Sequence, residues 1–211
     1  MSLSDVTRRT CEHLLESRAD AGLQANGLHR RATTWRWTRP TQDARLTNII
    51  DAQRRSAFDW QHDEINFTLN WAIFVAGFPE VARAAHLAEH PDSPVGQRPA
   101  PKRTTPRTAA APFYLRIGRL SATGHDLWWI VSGEDVTYQE SGTPPQPLRS
   151  APDALLQDLV EHRLLSLADR LWTAPALLTF AEETDLLLDF GWGRSRTLAL
   201  LRDMFGDTAY P

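Results

Sequence analysis

Apolar residues occupy alternate positions along the segment from Ile65 to Val75. Every odd position in this segment is apolar, while Asn66, Thr68 and Asn70 occupy even positions. Successive side chains of a β-strand point to opposite faces of the sheet. The pattern therefore predicts a strand with one buried face and one polar face that is open to solvent.

Shorter stretches of β-branched and aromatic residues predict further strands. These strands are expected at residues 32–38, 45–55, 113–120 and 127–131. Helices are predicted where apolar residues recur three or four positions apart. They are expected at residues 3–22, 79–90, 153–172, 176–190 and 194–205. Ser4 and Gly22 are expected to begin and end the first helix, and Ser150, Pro152 and Asp153 to mark the start of the third.

The order of these elements along the chain is one helix, about five strands and then helices. Such segregation favours an α+β fold, in which an antiparallel sheet of about five strands is packed on one face by the N-terminal helix and the C-terminal helices. A length of 211 residues suits a single domain over residues 1–211. Residues 91–112 contain six prolines and little to bury, which predicts a mobile insertion, and residues 150–211 form a helical C-terminal part.

Charge and composition exclude several classes of function. The net charge is −3, and no stripe of basic residues alternates with aromatic ones, so nucleic-acid binding is not expected. No apolar run approaches the roughly 18 residues that cross a bilayer, so the sequence predicts a cytoplasmic protein without a membrane anchor. Cys11 is the only cysteine and lies on the apolar side of the first helix, where we expect a buried filler rather than a nucleophile.

Four short motifs carry a resemblance to a known family. They are LTNIIDAQRRS at residues 46–56, EINFTLN at 64–70, RIGRL at 116–120 and DLWW at 126–129. Their order and spacing resemble the bacterial family named domain of unknown function 4304, over roughly residues 3–172, with residues 91–112 as an insertion. The resemblance implies a small bacterial α+β protein without established chemistry, and it transfers no catalytic residues to this chain.

The segment His86-Leu-Ala-Glu89-His90 matches the H-x-x-E-H pattern of inverted zinc peptidases. On a helix, His86 and His90 would share one face and Glu89 would activate a bound water. The alternative is a solvated helix end, because Pro91 follows directly and no pattern supports a third ligand such as Glu134 or Glu161. We favour the helix end and expect neither a metal nor a cofactor.

The polar face of the sheet is the second candidate site. Asn66 and Asn70 are expected on it together with Arg116 and Trp128, and Gln53 and Arg36 join them if the strand register allows. An arginine among amides and exposed indoles suits a carboxylate, a phosphate or the acidic loop of a partner. The alternative is an ordinary solvated face with cross-strand polar pairs.

The C-terminal part supplies a third candidate surface. Residues 151–211 hold ten acidic residues against five arginines, and Glu182, Glu183 and Asp185 are the candidates for contacting a basic partner. The alternative is that these acidic residues form the solvent-exposed side of amphipathic helices. The sequence contains neither a G-x-S-x-G elbow nor a nucleotide-binding glycine loop.

Two hypotheses follow from these patterns. The first is a non-catalytic bacterial binding protein, such as an immunity or accessory factor that recognises another protein. It rests on the missing catalytic motif, the many tryptophans and the acidic C-terminal part. The alternative is a small-ligand binding protein or an enzyme that uses the polar face of the sheet, with Arg116 as the anchor for an anion.

Overall fold

A computed structural model describes residues 2–30, 34–54, 63–94, 108, 111–141, 151–171, 173–184 and 194–206. The predicted α+β class and antiparallel sheet are confirmed, and the sheet has seven strands rather than about five. They are β1 (His29–Arg30), β2 (Arg36–Pro40), β3 (Leu46–Arg54), β4 (Glu64–Val75), β5 (Phe113–Arg116), β6 (Leu127–Ser132) and β7 (Asp135–Glu140). The strand order is β1-β2-β3-β4-β6-β7, and β5 also pairs with β4.

The helices lie close to their predicted positions. They are α1 (Leu3–Leu15), α2 (Ala21–Ala25), α3 (Phe78–Glu89), α4 (Pro152–Asp158), α5 (Leu165–Arg170), α6 (Ala174–Glu183) and α7 (Arg194–Phe205). π-Helical turns at Glu16–Asp20 and Leu159–Leu164 join α1 to α2 and α4 to α5. The predicted helix 176–190 ends at Glu183 within the described chain, and residues 185–193 lie outside it. Most of the predicted insertion 91–112 also lies outside it.

The ends of the first predicted helix need correction. Ser2 rather than Ser4 caps α1, because its hydroxyl accepts from the Asp5 N–H while the Asp5 carboxylate accepts from Ser2. These hydrogen bonds from Ser2 lower the pKa of Asp5. The first helical segment runs past Gly22 to Ala25. α4 begins at Pro152, as predicted, and its N-cap is Ala151, which makes no side-chain cap, while Ser150 lies outside the described residues.

The sheet contains two strands that the sequence analysis did not predict, the two-residue β1 and the longer β7. β7 forms a hairpin with β6, in which Ser132 pairs with Asp135 and the loop is Gly133-Glu134. Gly133 has a φ of 62°, a conformation that glycine adopts without steric cost and that suits the first position of a two-residue hairpin loop. Gly133 was therefore a signal in the sequence for the hairpin between β6 and β7.

The predicted strand at residues 113–120 is too long. β5 ends at Arg116, and residues Ile117–Leu120 form a 3₁₀ turn. A Cβ placed on Gly118 would lie only 2.3 Å from the backbone nitrogen of Leu127. Glycine is therefore needed where this turn passes against the start of β6, and the close approach redirects the chain.

The chain divides into two compact units. The first comprises residues 1–39, 50–71 and 116–169, and the second residues 40–49, 72–115 and 170–211. In the first unit, the rings of Phe67 and Trp129 stack with their centroids 5.8 Å apart, and Trp37 donates its indole N–H to Asp20 Oδ1 at 2.6 Å. In the second unit, Ile49, Ala72 and Ala111 form a buried cluster, and α7 packs against α3 and α6.

No helix in the described part of the chain is both long enough and apolar enough to cross a membrane.

Cys11 is expected to resist thiol reagents in the native protein. The residue is 1% exposed, and burial raises the pKa of its thiol from 9.0 to about 11. Only the thiolate attacks. At about pH 8, Ellman's reagent should therefore react with native Cys11 about 100-fold or more slowly than with the same protein unfolded in urea. Equal rates in the two conditions would contradict the burial of Cys11.

Candidate functional site

The polar face of β4 is buried rather than open to solvent. The exposed fractions of Asn66, Thr68 and Asn70 are 8%, 0% and 3%. The predicted alternation along β4 is correct, but the predicted solvation of its polar face is wrong. Alternation reports which side chains share a face, and it contains no information on whether other parts of the chain cover that face.

Four side chains on β2, β3 and β4 form a hydrogen-bonded network in the first unit. Asn70 Nδ2 donates to Asp51 Oδ1 at 3.2 Å and to Gln53 Oε1 at 2.9 Å. Arg36 Nη2 donates to the other oxygen of Asp51, at 3.1 Å. Asp51 is thus the centre of the network, and the predicted residues Gln53 and Asn70 do come together.

Beside this network lie three buried polar atoms that make no hydrogen bond within the part of the chain that the structure describes. They are Arg36 Nε, Asn66 Oδ1 and Thr68 Oγ1. Asn66 and Thr68 are two residues apart on β4, so both stand on the same face as Asn70. Native proteins leave few buried polar groups unpaired, and a cluster of them marks a site that calls for an explanation. We refer to Arg36, Asp51, Gln53, Asn66, Thr68 and Asn70 as the polar face.

Arg116 and Trp128 form a second group in the same unit. The Arg116 guanidinium lies 5.2 Å from the centre of the Trp128 ring, and it donates from Nη1 to Asp126 Oδ2. Asn66 pairs with Ile130 across β4 and β6, and Trp128 is two residues from Ile130 on β6. Trp128 therefore shares its side of the sheet with Asn66.

Among the described residues, the two arginines on this side of the sheet are each paired with a carboxylate. Arg36 forms an ion pair with Asp51 and Arg116 forms one with Asp126. The sequence predicts Arg116 as an anchor for an anion, whereas in the structure its guanidinium is paired with Asp126. The only feature of the sequence that could have indicated this pair is the position of Asp126 at the start of the DLWW motif, ten residues after Arg116.

His86 and His90 stand at the end of α3 in the second unit. Their ring centroids are 5.0 Å apart, His86 Nε2 lies 2.9 Å from Ser93 Oγ, and His90 lies just beyond the last residue of the helix. Glu89 is exposed and accepts from Arg196 at 2.7 Å. Over the residues that can be described, no three His, Cys, Asp or Glu side chains are grouped to hold a metal ion.

The acidic C-terminal candidates differ in their surroundings. Glu182 and Glu183 are both exposed, and Glu182 Oε1 accepts from Nε of Arg202 at 3.2 Å and also from its Nη2. Asp185 lies outside the described residues. The tryptophans of the described segments are buried or half-buried, so the sequence-based expectation of exposed indoles is wrong for them.

No protein-family model, curated protein or solved structure matches this chain. The resemblance to the domain of unknown function 4304 family therefore stays a prediction from its four motifs. Each motif contributes to this side of the sheet. Gln53, Asn70, Arg116 and Trp128 come from the first, second, third and fourth motif in that order. Together, fold and site define an α+β protein with a partly buried polar site on an antiparallel sheet, in which Arg36 and Arg116 are each paired with a carboxylate.

Proposed function

We propose that this protein is a non-catalytic receptor for a small polar ligand, held at the polar face. The observation that carries the proposal is the set of unpaired buried atoms, Arg36 Nε, Asn66 Oδ1 and Thr68 Oγ1. Each such atom costs about 1–3 kcal/mol, because folding removes its hydrogen bonds to water without replacing them. A ligand that bonds to these atoms recovers that energy on binding.

The neighbouring groups support binding rather than catalysis. Both carboxylate oxygens of Asp51 accept hydrogen bonds from the protein, one from Asn70 and one from Arg36. Asp51 therefore positions these two side chains. Elsewhere in the first unit, the buried thiol of Cys11 on α1 has a pKa raised to about 11 and is a poor nucleophile.

The competing proposal is the immunity or accessory factor that recognises another protein. It depends on acidic side chains and exposed tryptophans that are ready to contact a partner. Glu182 already binds Arg202, and Trp128 is half-buried beneath Arg116. These contacts favour the small ligand over the protein partner.

Thr68→Val tests the proposal with a substitution that keeps the shape of the side chain. We expect the free energy of unfolding to rise by about 1 kcal/mol, because valine removes an unpaired buried hydroxyl. We also expect loss of the ligand. The measurements are urea unfolding, and mass spectrometry of small molecules that the tagged protein retains from a metabolite extract of its host.

The matched control is the double substitution Glu182→Ala and Glu183→Ala in the other unit. A compound retained by the wild type and by this control, but not by Thr68→Val, would support the receptor. Retention of a stoichiometric protein that depends on Glu182 and Glu183, with no compound that depends on Thr68, would contradict it and support the protein partner.

A further inference from the structure

We infer that the ligand of the polar face is uncharged and is recognised through a carboxamide group. This inference rests on the proposed function and specifies the chemistry of its ligand. It follows from three properties of the first unit, which are the pairing of its arginines with carboxylates, the identity of the unpaired atoms, and the spacing of Asn66 and Thr68 along β4.

The pairing of arginine with carboxylate argues against an ionic ligand. The guanidinium groups of Arg36 and Arg116 are each paired with a carboxylate, at Asp51 and Asp126. An anion bound here would displace one of these carboxylates or be buried without a partner charge. A cation would have to compete for Asp51 with Arg36, whose guanidinium is already paired with this carboxylate. Burying a charge without a partner is far more costly than burying an uncharged polar group.

A single ligand group that pairs with these atoms both donates and accepts. Asn66 Oδ1 can only accept, so the ligand must present an N–H or O–H group to it. Arg36 Nε can only donate, so the ligand must also present an oxygen. The Thr68 hydroxyl can do either. A carboxamide supplies N–H donors and a carbonyl acceptor in one uncharged group.

The spacing of Asn66 and Thr68 fits such a group. Two residues of a strand advance by about 7 Å. A carboxamide that makes one hydrogen bond of about 2.9 Å at its nitrogen and another at its oxygen covers a comparable span. Both side chains are buried, so hydrogen bonds formed there are shielded from water and are stronger than those at an exposed surface.

Acetamide and acetate form the test pair, because they have nearly the same shape and differ in charge. We expect acetamide to shift the side-chain amide resonances of Asn66 and Asn70 in the ¹⁵N-labelled protein, saturably and with a Kd of about 10 mM, as suits so small a ligand. Acetate at equal concentration and ionic strength should leave these resonances unchanged.

Two variants assign the effect to the polar face. Asn66→Leu and Thr68→Val each remove one unpaired atom, and each should weaken acetamide binding at least tenfold while the backbone spectrum stays dispersed. Asn66→Leu lacks the Asn66 side-chain amide, so acetamide binding to this variant is followed by the Asn70 resonance. Thr137→Val is the matched control, since this threonine stands exposed on β7, and the variant should bind acetamide like the wild type.

The outcomes separate this inference from the proposed function. A response to acetate without one to acetamide would overturn the uncharged ligand and leave the receptor in place. A response to neither probe would overturn the inference of a carboxamide ligand. The receptor proposal would then be decided by the retention experiment alone, which compares the metabolites bound by the wild type and by Thr68→Val. Equal binding of acetamide by Asn66→Leu, Thr68→Val and the wild type would place the probe elsewhere and also overturn the inference.

Discussion

Gly118→Ala is expected to destabilise the protein by about 4 kcal/mol, which places it among the most harmful single substitutions. The added Cβ would lie 2.3 Å from the Leu127 nitrogen and 2.6 Å from the carbonyl oxygen of His125. Both contacts are with backbone atoms, which cannot turn aside as a side chain can. The 3₁₀ turn and the start of β6 would have to separate.

Gly124→Ala is the matched control for this prediction. Gly124 lies in the same connection between β5 and β6, has a φ of 67°, and would place its Cβ in open space. The substitution should cost only about 1 kcal/mol, from the left-handed backbone conformation alone. Urea unfolding followed by circular dichroism measures both variants. Equal losses would show that the backbone approach at Gly118 is not the limiting contact.

The position of Gly118 also matters for the candidate site. Asp126, which pairs with Arg116, lies between the two residues whose backbone approaches Gly118. Separation of the turn from β6 would therefore move Asp126 away from the guanidinium. Gly118, the glycine of the RIGRL motif, is thus required sterically. It also keeps Asp126 in position to pair with Arg116, and this pairing is one of the reasons for proposing an uncharged ligand.

Much of the fold could be predicted from the local sequence pattern. The alternation in β4 fixed its strand and the grouping of Asn66, Thr68 and Asn70, because side-chain direction along a strand follows from the backbone alone. The end of β5 could not be found in this way. It depends on the close approach of the Gly118 and Leu127 backbones. These residues are nine positions apart, so the approach exists only in the folded chain and a local sequence pattern does not show it.

The candidate site was predicted less completely than the fold. Gln53 and Asn70 were expected to lie near each other, and they do so through a direct hydrogen bond. Asp51 was missed, although it stands two residues from Gln53 on β3 and so shares its face. The burial of Thr68 could not be predicted, because it depends on the rest of the folded chain and a strand pattern does not record what covers it.

Trp129→Ala is the second substitution with a large expected effect, a loss of about 3–5 kcal/mol in the free energy of unfolding. The Trp129 side chain is fully buried, its ring stacks on Phe67, and its indole nitrogen donates to the Pro152 carbonyl at 3.0 Å. Alanine would leave a cavity between β4, β6 and the start of α4. The lost stacking and the unpaired carbonyl would add to that cost.

Trp129→Phe separates these contributions. Phenylalanine keeps an aromatic ring against Phe67 but cannot donate to Pro152, so its loss should be smaller, about 1–2 kcal/mol. Trp35→Ala removes a half-buried tryptophan, whose ring lies 4.4 Å from the Arg30 guanidinium, and should cost only about 1 kcal/mol. Unfolding is followed by circular dichroism, because each substitution alters the fluorescence signal itself.

Phe67 lies between Asn66 and Thr68 on β4, so the Trp129 ring and the unpaired polar atoms act on opposite sides of one strand. The apolar contact therefore offsets the cost of leaving Asn66 Oδ1 and Thr68 Oγ1 without partners. If so, Thr68→Val should recover part of the stability lost in Trp129→Ala when the two are combined. A double variant no more stable than Trp129→Ala would show that the Thr68 hydroxyl carries no such cost.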